Sequence, residues 1–218
     1  MLKSIKILFL EALNLLLPER KNFSIVNRLS SEDVRGLPKA TPVEDCDFVT
    51  PLFNYKDRRV SAIIWELKYK NNAKPLDEIG RLIYEEMLSL SSDVVAFNND
   101  AEFLLIPVPI TTERRIERGY NQSEYLAKAI LENDVEHCFV YAPQFLTKIK
   151  DTPRQSHSIS KSERILNIKN SFFADERVQG KYVVLVDDVV TTGSTLTEAR
   201  NTLLLAGAKD VFAFTIAH

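Results

Sequence analysis

The chain has 218 residues, 45% hydrophobic and 27% charged, with a net charge of −2. That is enough apolar material for one sizeable α/β domain with a small appendage, and the charge balance gives no global field for nucleic acid or an anionic membrane. Cys46 and Cys138, the only cysteines, lie far apart, which argues against a disulfide scaffold and for a reducing, cytoplasmic setting.

Met1 to Leu17 is very apolar, with Ile5, Leu8, Phe9, Ala12, Leu13 and Leu16 on one helical face. Glu11 and Asn14 interrupt the run, and Leu17-Pro18-Glu19-Arg20 offers no small-x-small cleavage site. The stretch is too short and too polar to cross a bilayer. It reads as an amphipathic helix docked on the body or on a partner. Lys21 to Pro51, with three prolines and a glycine, reads as irregular structure. Residues 1–50 are therefore expected to be an N-terminal helix with an irregular hood segment, and 51–218 the main domain.

Two helices follow. Val60, Ile63, Ile64 and Leu67 stripe Asp57 to Tyr69, and Leu76, Ile79, Leu82, Ile83, Met87 and Leu90 stripe Pro75 to Leu90. The lysines of the join, Lys68 and Lys70, taken alone read as a solvated turn; beside a phosphate site they could meet the phosphate. Phe103 to Val108 is an apolar strand. After it comes a segment with Arg114, Arg115 and Arg118, then a helix that Asn121 can cap, with Glu124 at the capping-box position. A loop of three arginines between a sheet edge and a helix N-terminus is an anion-site candidate. Its bland alternative is a surface loop paired with Glu113 and Glu117. Val135 to Thr147 holds one or two short strands. Residues 148–169 carry six cations against two acids, a net +4, and suit a flap over an anionic ligand or an ordinary mobile connection.

The most informative stretch is Lys181 to Thr195. Tyr182 to Val186 is a β-branched apolar run, as a strand buried on both faces requires. Asp187 and Asp188 follow at its carboxyl edge, where ligands of open α/β sheets bind. Thr191-Thr192-Gly193-Ser194-Thr195 then opens a helix, with Glu198 placed for a capping box on Thr195 and Gly207 at its end. A helix N-terminus holds phosphate, Gly193 permits close approach, and the hydroxyls add donors. Two carboxylates beside that cup would repel a phosphate but accept bonds from neighbouring hydroxyls. A ribose 5-phosphate fits both halves. A Walker B strand is the competing pattern, but no G-x-x-x-x-G-K-[ST] loop accompanies it. The last strand is read at Lys209 to Ala217.

Val183 to Thr195, VVLVDDVVTTGST, resembles the phosphoribosyl pyrophosphate (PRPP) motif of type I phosphoribosyltransferases. The resemblance implies that Asp187 and Asp188 bind the ribose hydroxyls and that Val189, Thr191, Thr192, Gly193, Ser194 and Thr195 surround the 5-phosphate. Further pieces sharpen it. Ile106-Pro107-Val108-Pro109 with Arg118 to Ala127, Leu146-Thr147-Lys148 through Arg154-Gln155, and Arg164 to Asn167 are similar to the signature of the ComF family. Phe53-Asn54-Tyr55 and Leu67-Lys68-Tyr69 match its aromatic elements.

The resemblance implies a type I phosphoribosyltransferase-like α/β fold: a mostly parallel sheet, flanking helices and a small hood over the carboxyl edge. It implies PRPP as ligand, Mg²⁺ carried by PRPP and water, and an unknown nucleophilic acceptor. Lys68, Arg114, Arg118, Asn121, Gln122, Arg154, Gln155 and Arg164 are the expected pyrophosphate and flap residues. The family is linked to DNA uptake in natural competence, beside a helicase-like ATPase, so a non-catalytic accessory role is the alternative. Its members often begin with a four-cysteine zinc module. Here only Cys46 lies in that region, so no zinc is expected. No aromatic-rich basic groove can be picked out of the sequence, so direct DNA binding is expected to be weak.

Overall fold

A computed structural model describes residues 21–70, 72, 74–98, 100–149 and 170–218. The expected Met1–Leu17 helix and the flap residues Arg154, Gln155 and Arg164 lie outside the described residues. The elements run α1 (Lys21–Arg28), α2 (Ser31–Arg35), β1 (Val49–Phe53), α3 (Arg58–Lys70), α4 (Leu76–Phe97), β2 (Phe103–Pro107), α5 (Thr112–Arg118), α6 (Gln122–Leu131), β3 (Phe139–Tyr141), β4 (Leu146–Lys148), β5 (Phe172–Ala174), β6 (Tyr182–Val189), α7 (Ser194–Leu205) and β7 (Asp210–Ala217).

Five strands form one parallel sheet in the order β1-β7-β6-β2-β3, and β4 pairs antiparallel with β5 apart from it. The central strand, β6, is buried on both faces. Val184 and Val186 enter a core with α1, α3, α4 and α6, while Val183 and Leu185 enter a second core with α7 and β5. All four are fully buried, and each contributes about 1.5–3 kcal/mol of burial. Gly80 lets α4 lie directly on α6, since a Cβ there would stand 2.6 Å from the Ala129 backbone. Val26, Val34 and Leu37 belong to the first core, so residues 21–53 pack with the rest of the sheet.

Several expectations are corrected. The segment Lys21 to Pro51 is irregular only between α2 and β1, since Lys21–Arg28 and Ser31–Arg35 are helices. Ser30 and Asp33 form a capping box that starts α2, and aspartate at its third position disguised it. β1 accommodates Pro51 because it is an edge strand: among the described residues its one strand partner is β7, and its other edge meets only an isolated bridge from Lys39 to Phe53. The second long helix runs to Phe97, past Leu90, with the Ser91 and Ser92 hydroxyls turned back onto the Leu88 carbonyl. The triple-arginine segment is not a loop but the helix α5, capped by Thr111. Neither expected capping box forms. Gly193 is the N-cap of α7, and Glu198 accepts the Asn170 N–H instead. Glu124 takes Arg115 through both oxygens, at 2.6 and 3.0 Å.

Candidate functional site

The site lies at the carboxyl edge of the sheet. β6 runs to Val189, so Asp187 and Asp188 are strand residues rather than the first residues after it. β2 stops at Pro107, in register with Val186, so both acids project beyond their neighbour on that side. Side chains alternate across a strand, which puts Asp188 on the face of Val184 and Val186. That is the side of α3, and Lys68 Nζ meets Asp188 Oδ2 at 3.1 Å.

α3 starts beside the end of β1 and finishes at the end of β6, so it crosses the carboxyl edge. Tyr120 holds its last turn, donating to the Leu67 carbonyl at 2.8 Å. Lys68 is thus a fixed arm over the acids and not part of a solvated turn. Burial works to lower its pKa, but the charge of Asp188 and their hydrogen bond hold it above the usual lysine range.

Asp187 is held from α6. Ser123 Oγ donates to Asp187 Oδ1 at 2.8 Å, and the Asp188 N–H donates to the same oxygen at 2.9 Å. Asn121 places this serine. Its Nδ2 donates to the Val108 carbonyl at 3.0 Å, and its Oδ1 accepts the Ser123 N–H at 3.1 Å. The Asn121 side chain is therefore engaged in joining the end of β2 to the start of α6. Gln122 beside it is buried, with no hydrogen-bond partner for Nε2 among the described residues. Burial first, and the Asp188 charge second, push the Asp187 carboxyl up to about 7, against the pull of Ser123 and the Asp188 N–H.

The loop after β6 turns at Gly193, which has φ of +71° and begins α7 without a side-chain cap. The first N–H groups of a helix have no intrahelical partner, so this start is open to an anion. Thr192 and Ser194 hydroxyls meet at 2.9 Å on its rim. Below the loop lies buried Cys46, whose Sγ would be only 2.3 Å from a Cβ at position 193. Cys46 also approaches Thr197 Oγ1 at 3.7 Å.

The phosphoribosyl transferase domain family matches residues 138–217. A DNA utilization protein, YhgH, from Escherichia coli O157:H7 is 34% identical over 181 residues, covering 81% of this chain and 73% of that protein. The chain belongs to the ComF family of type I phosphoribosyltransferase-like proteins. The competence protein ComFC of Bacillus subtilis is 34% identical over 118 residues, covering 54% of this chain and 45% of that one. Competence protein F of Haemophilus influenzae is 29% identical over 162 residues, covering 72% and 67%.

In this ComF-family chain the structure brings Asp187, Asp188, Val189, Thr191 to Thr195 and Lys68 to one edge. Arg118 stands nearby, its guanidinium 5.9 Å from the Tyr69 ring centroid, and Arg114 lies one turn earlier on α5. The sequence reading gave no role to Ser123, Tyr120, Cys46 or Trp65. Ser123 and Tyr120 lie inside the Arg118–Ala127 motif, which was the available signal. The structure also gathers what the sequence did not show, an aromatic and basic cleft. Tyr55, Ile64, Trp65, Lys68, Tyr69 and Lys70 line a space of about 790 Å³ beside the acids. No helix among the described residues is long and apolar enough to cross a membrane.

Proposed function

We propose that the chain binds PRPP with Mg²⁺ and transfers its ribosyl 5-phosphate to a nucleophilic acceptor, releasing pyrophosphate. The observation that supports this best is the meeting of the Asp187–Asp188 pair and the open start of α7 at one sheet edge. The carboxylates would accept the ribose hydroxyls, and the N–H groups and hydroxyls of Thr191 to Thr195 would hold the 5-phosphate. Lys68, Arg114 and Arg118 would neutralise the departing pyrophosphate. Arg154, Gln155 and Arg164 are the proposed flap contacts. Lys68 already engages Asp188, so a magnesium ion would be held mainly by ligand oxygens and water. When bound, that ion would supply charge neutralisation on the pyrophosphate.

The names of the relatives, a DNA utilization protein and a competence protein, favour a second reading, an accessory role in DNA utilization or competence, for which we propose PRPP sensing through a protein partner such as a helicase-like ATPase. A pyrophosphate-release assay with PRPP, Mg²⁺ and a panel of bases and amines separates the two. Release that depends on one acceptor is the expected result. PRPP binding with no release from any acceptor would favour the sensor.

Affinity for PRPP should also depend on pH. Ribose hydroxyls need an ionised Asp187 as acceptor, and its carboxyl is shifted up to about 7. Affinity should therefore fall as pH drops from 8 to 5.5. Stability should move the opposite way. A raised folded-state pKa means that the native chain holds this proton more tightly than the unfolded chain. The Asp187 contribution is thus retained at low pH and lost as pH rises through the folded pKa. Asp187→Asn should then raise Tm more at pH 8 than at pH 5. Calorimetry and thermal melts over that range check both signs, and an equal shift at both pH values would contradict the assignment.

A further inference from the structure

The cleft on α3 is not used by the ribose and phosphate contacts above, yet it shares Lys68 with them. Trp65 and Tyr69 stand one helical turn apart, with ring centroids 5.6 Å apart and planes at 49°. Both are unusually open for large aromatics, Trp65 at 37% and Tyr69 at 57% exposure, and Tyr55 across from them is at 43%. Open rings that are not packed into a core present faces on which another ring can stack. A volume of about 790 Å³ is ample for a bicyclic heterocycle and falls in the usual range of small-molecule pockets.

Among the described residues the charge around those rings is one-sided. Lys70 Nζ stands 5.8 Å from the Trp65 ring centroid, and the Arg118 guanidinium 5.9 Å from that of Tyr69. The described lining contains Lys68 and Lys70 and no carboxylate. A cationic or amine-rich ring would meet repulsion here, whereas a ring with an acidic substituent would meet the Lys70 ammonium, Lys68 being already paired with Asp188.

We propose that this cleft is the acceptor pocket, and that the acceptor is a planar aromatic heterocycle carrying an acidic group. The inference rests on the phosphoribosyl-transfer reading and names its substrate class. A ring nitrogen would give its lone pair to the anomeric carbon of PRPP. The bond from that carbon to pyrophosphate breaks, and its electron pair leaves with the pyrophosphate. A ring nitrogen that carries no hydrogen, as in nicotinate, gives up no proton; one that carries N–H, as in orotate, passes its proton to the departing pyrophosphate, so the step needs no general base from the chain. Lys68, between the cleft and Asp188, is placed at the boundary of the two ligands.

Trp65 is the chain's only tryptophan, so its fluorescence reports on the cleft directly. The probes are isosteric pairs that differ in charge: nicotinate against nicotinamide, and orotate against orotamide. Each is titrated with and without ribose 5-phosphate and Mg²⁺, on the whole chain. The acid of each pair should saturate the signal at least about tenfold more tightly than its neutral partner. Lys70→Gln, at an exposed position, should erase that preference. Tyr69→Ala should weaken both members about tenfold, as loss of one stacking face does. Equal affinity within the pairs, no saturable signal from any probe, or displacement of nicotinate by a short oligothymidylate that binds more tightly would overturn the proposal. PRPP calorimetry on the same protein keeps the two readings apart. PRPP binding without acid preference removes this inference alone, whereas acid preference without PRPP binding removes the transferase reading and leaves an anionic-ring site.

Discussion

Asp187→Ala with Asp188→Ala should weaken PRPP binding by at least about a hundredfold and leave the chain folded. Hydrogen bonds to charged groups contribute roughly 1.5–3 kcal/mol each, so two lost acceptors already reach that factor. Removing the pair should not collapse β6. Asp187 is held in an environment that raises its pKa, which means its ionised form is disfavoured in the native state. Replacing it relieves that penalty. Asp188 is different, because Lys68 would be left with its burial and without its partner at 3.1 Å. The two effects oppose one another, so Tm should move little while affinity falls steeply. Calorimetry with PRPP and Mg²⁺, alongside far-ultraviolet circular dichroism, separates them. Wild-type affinity in a folded double variant would remove the carboxylate pair from the site.

The parts of this site that the sequence made legible are local. The run Tyr182 to Val186, short and rich in β-branched residues, reads as a buried strand, and acids followed by a hydroxyl-rich glycine turn mark what it carries. What could not be read joins distant positions. Ser123 and Asp187 are 64 residues apart, Tyr120 and Leu67 are 53 apart, and Cys46 and Thr197 are 151 apart. No periodicity records such pairs. Lys68 was obscured by its neighbours, since with Lys70 it reads as a solvated turn although the helix continues to Lys70. The arginine helix α5 was hidden for a different reason. It buries no side chain, so it has no apolar stripe to reveal it. The aromatic cleft escaped because Trp65 and Tyr69 lie off the buried stripe of α3, where an aromatic pair looks like incidental surface until Tyr55 is brought opposite.

Gly193→Ala should do the most damage for the smallest change. Two independent penalties meet there. The backbone has φ of +71°, which costs a residue with a Cβ about 1–2 kcal/mol. The new methyl would also lie 2.3 Å from the buried Cys46 sulfur, a distance real atoms do not share, and overpacking of that kind costs typically 1–3 kcal/mol. Together they predict a fall in Tm of about 5–15 °C for a chain of this size. The binding loss should be larger than the stability loss implies, because the loop can relieve the clash only by moving the start of α7, where the 5-phosphate is proposed to sit. Cys46→Ala tests the division. It removes the sulfur but not the left-handed backbone, so in the Gly193→Ala background it should restore the overpacking share of stability and leave the strain. A Gly193→Ala variant with wild-type Tm and wild-type PRPP affinity would mean that neither the turn nor the packing beneath it matters to the site. A double variant no more stable than Gly193→Ala alone would assign the whole cost to the backbone.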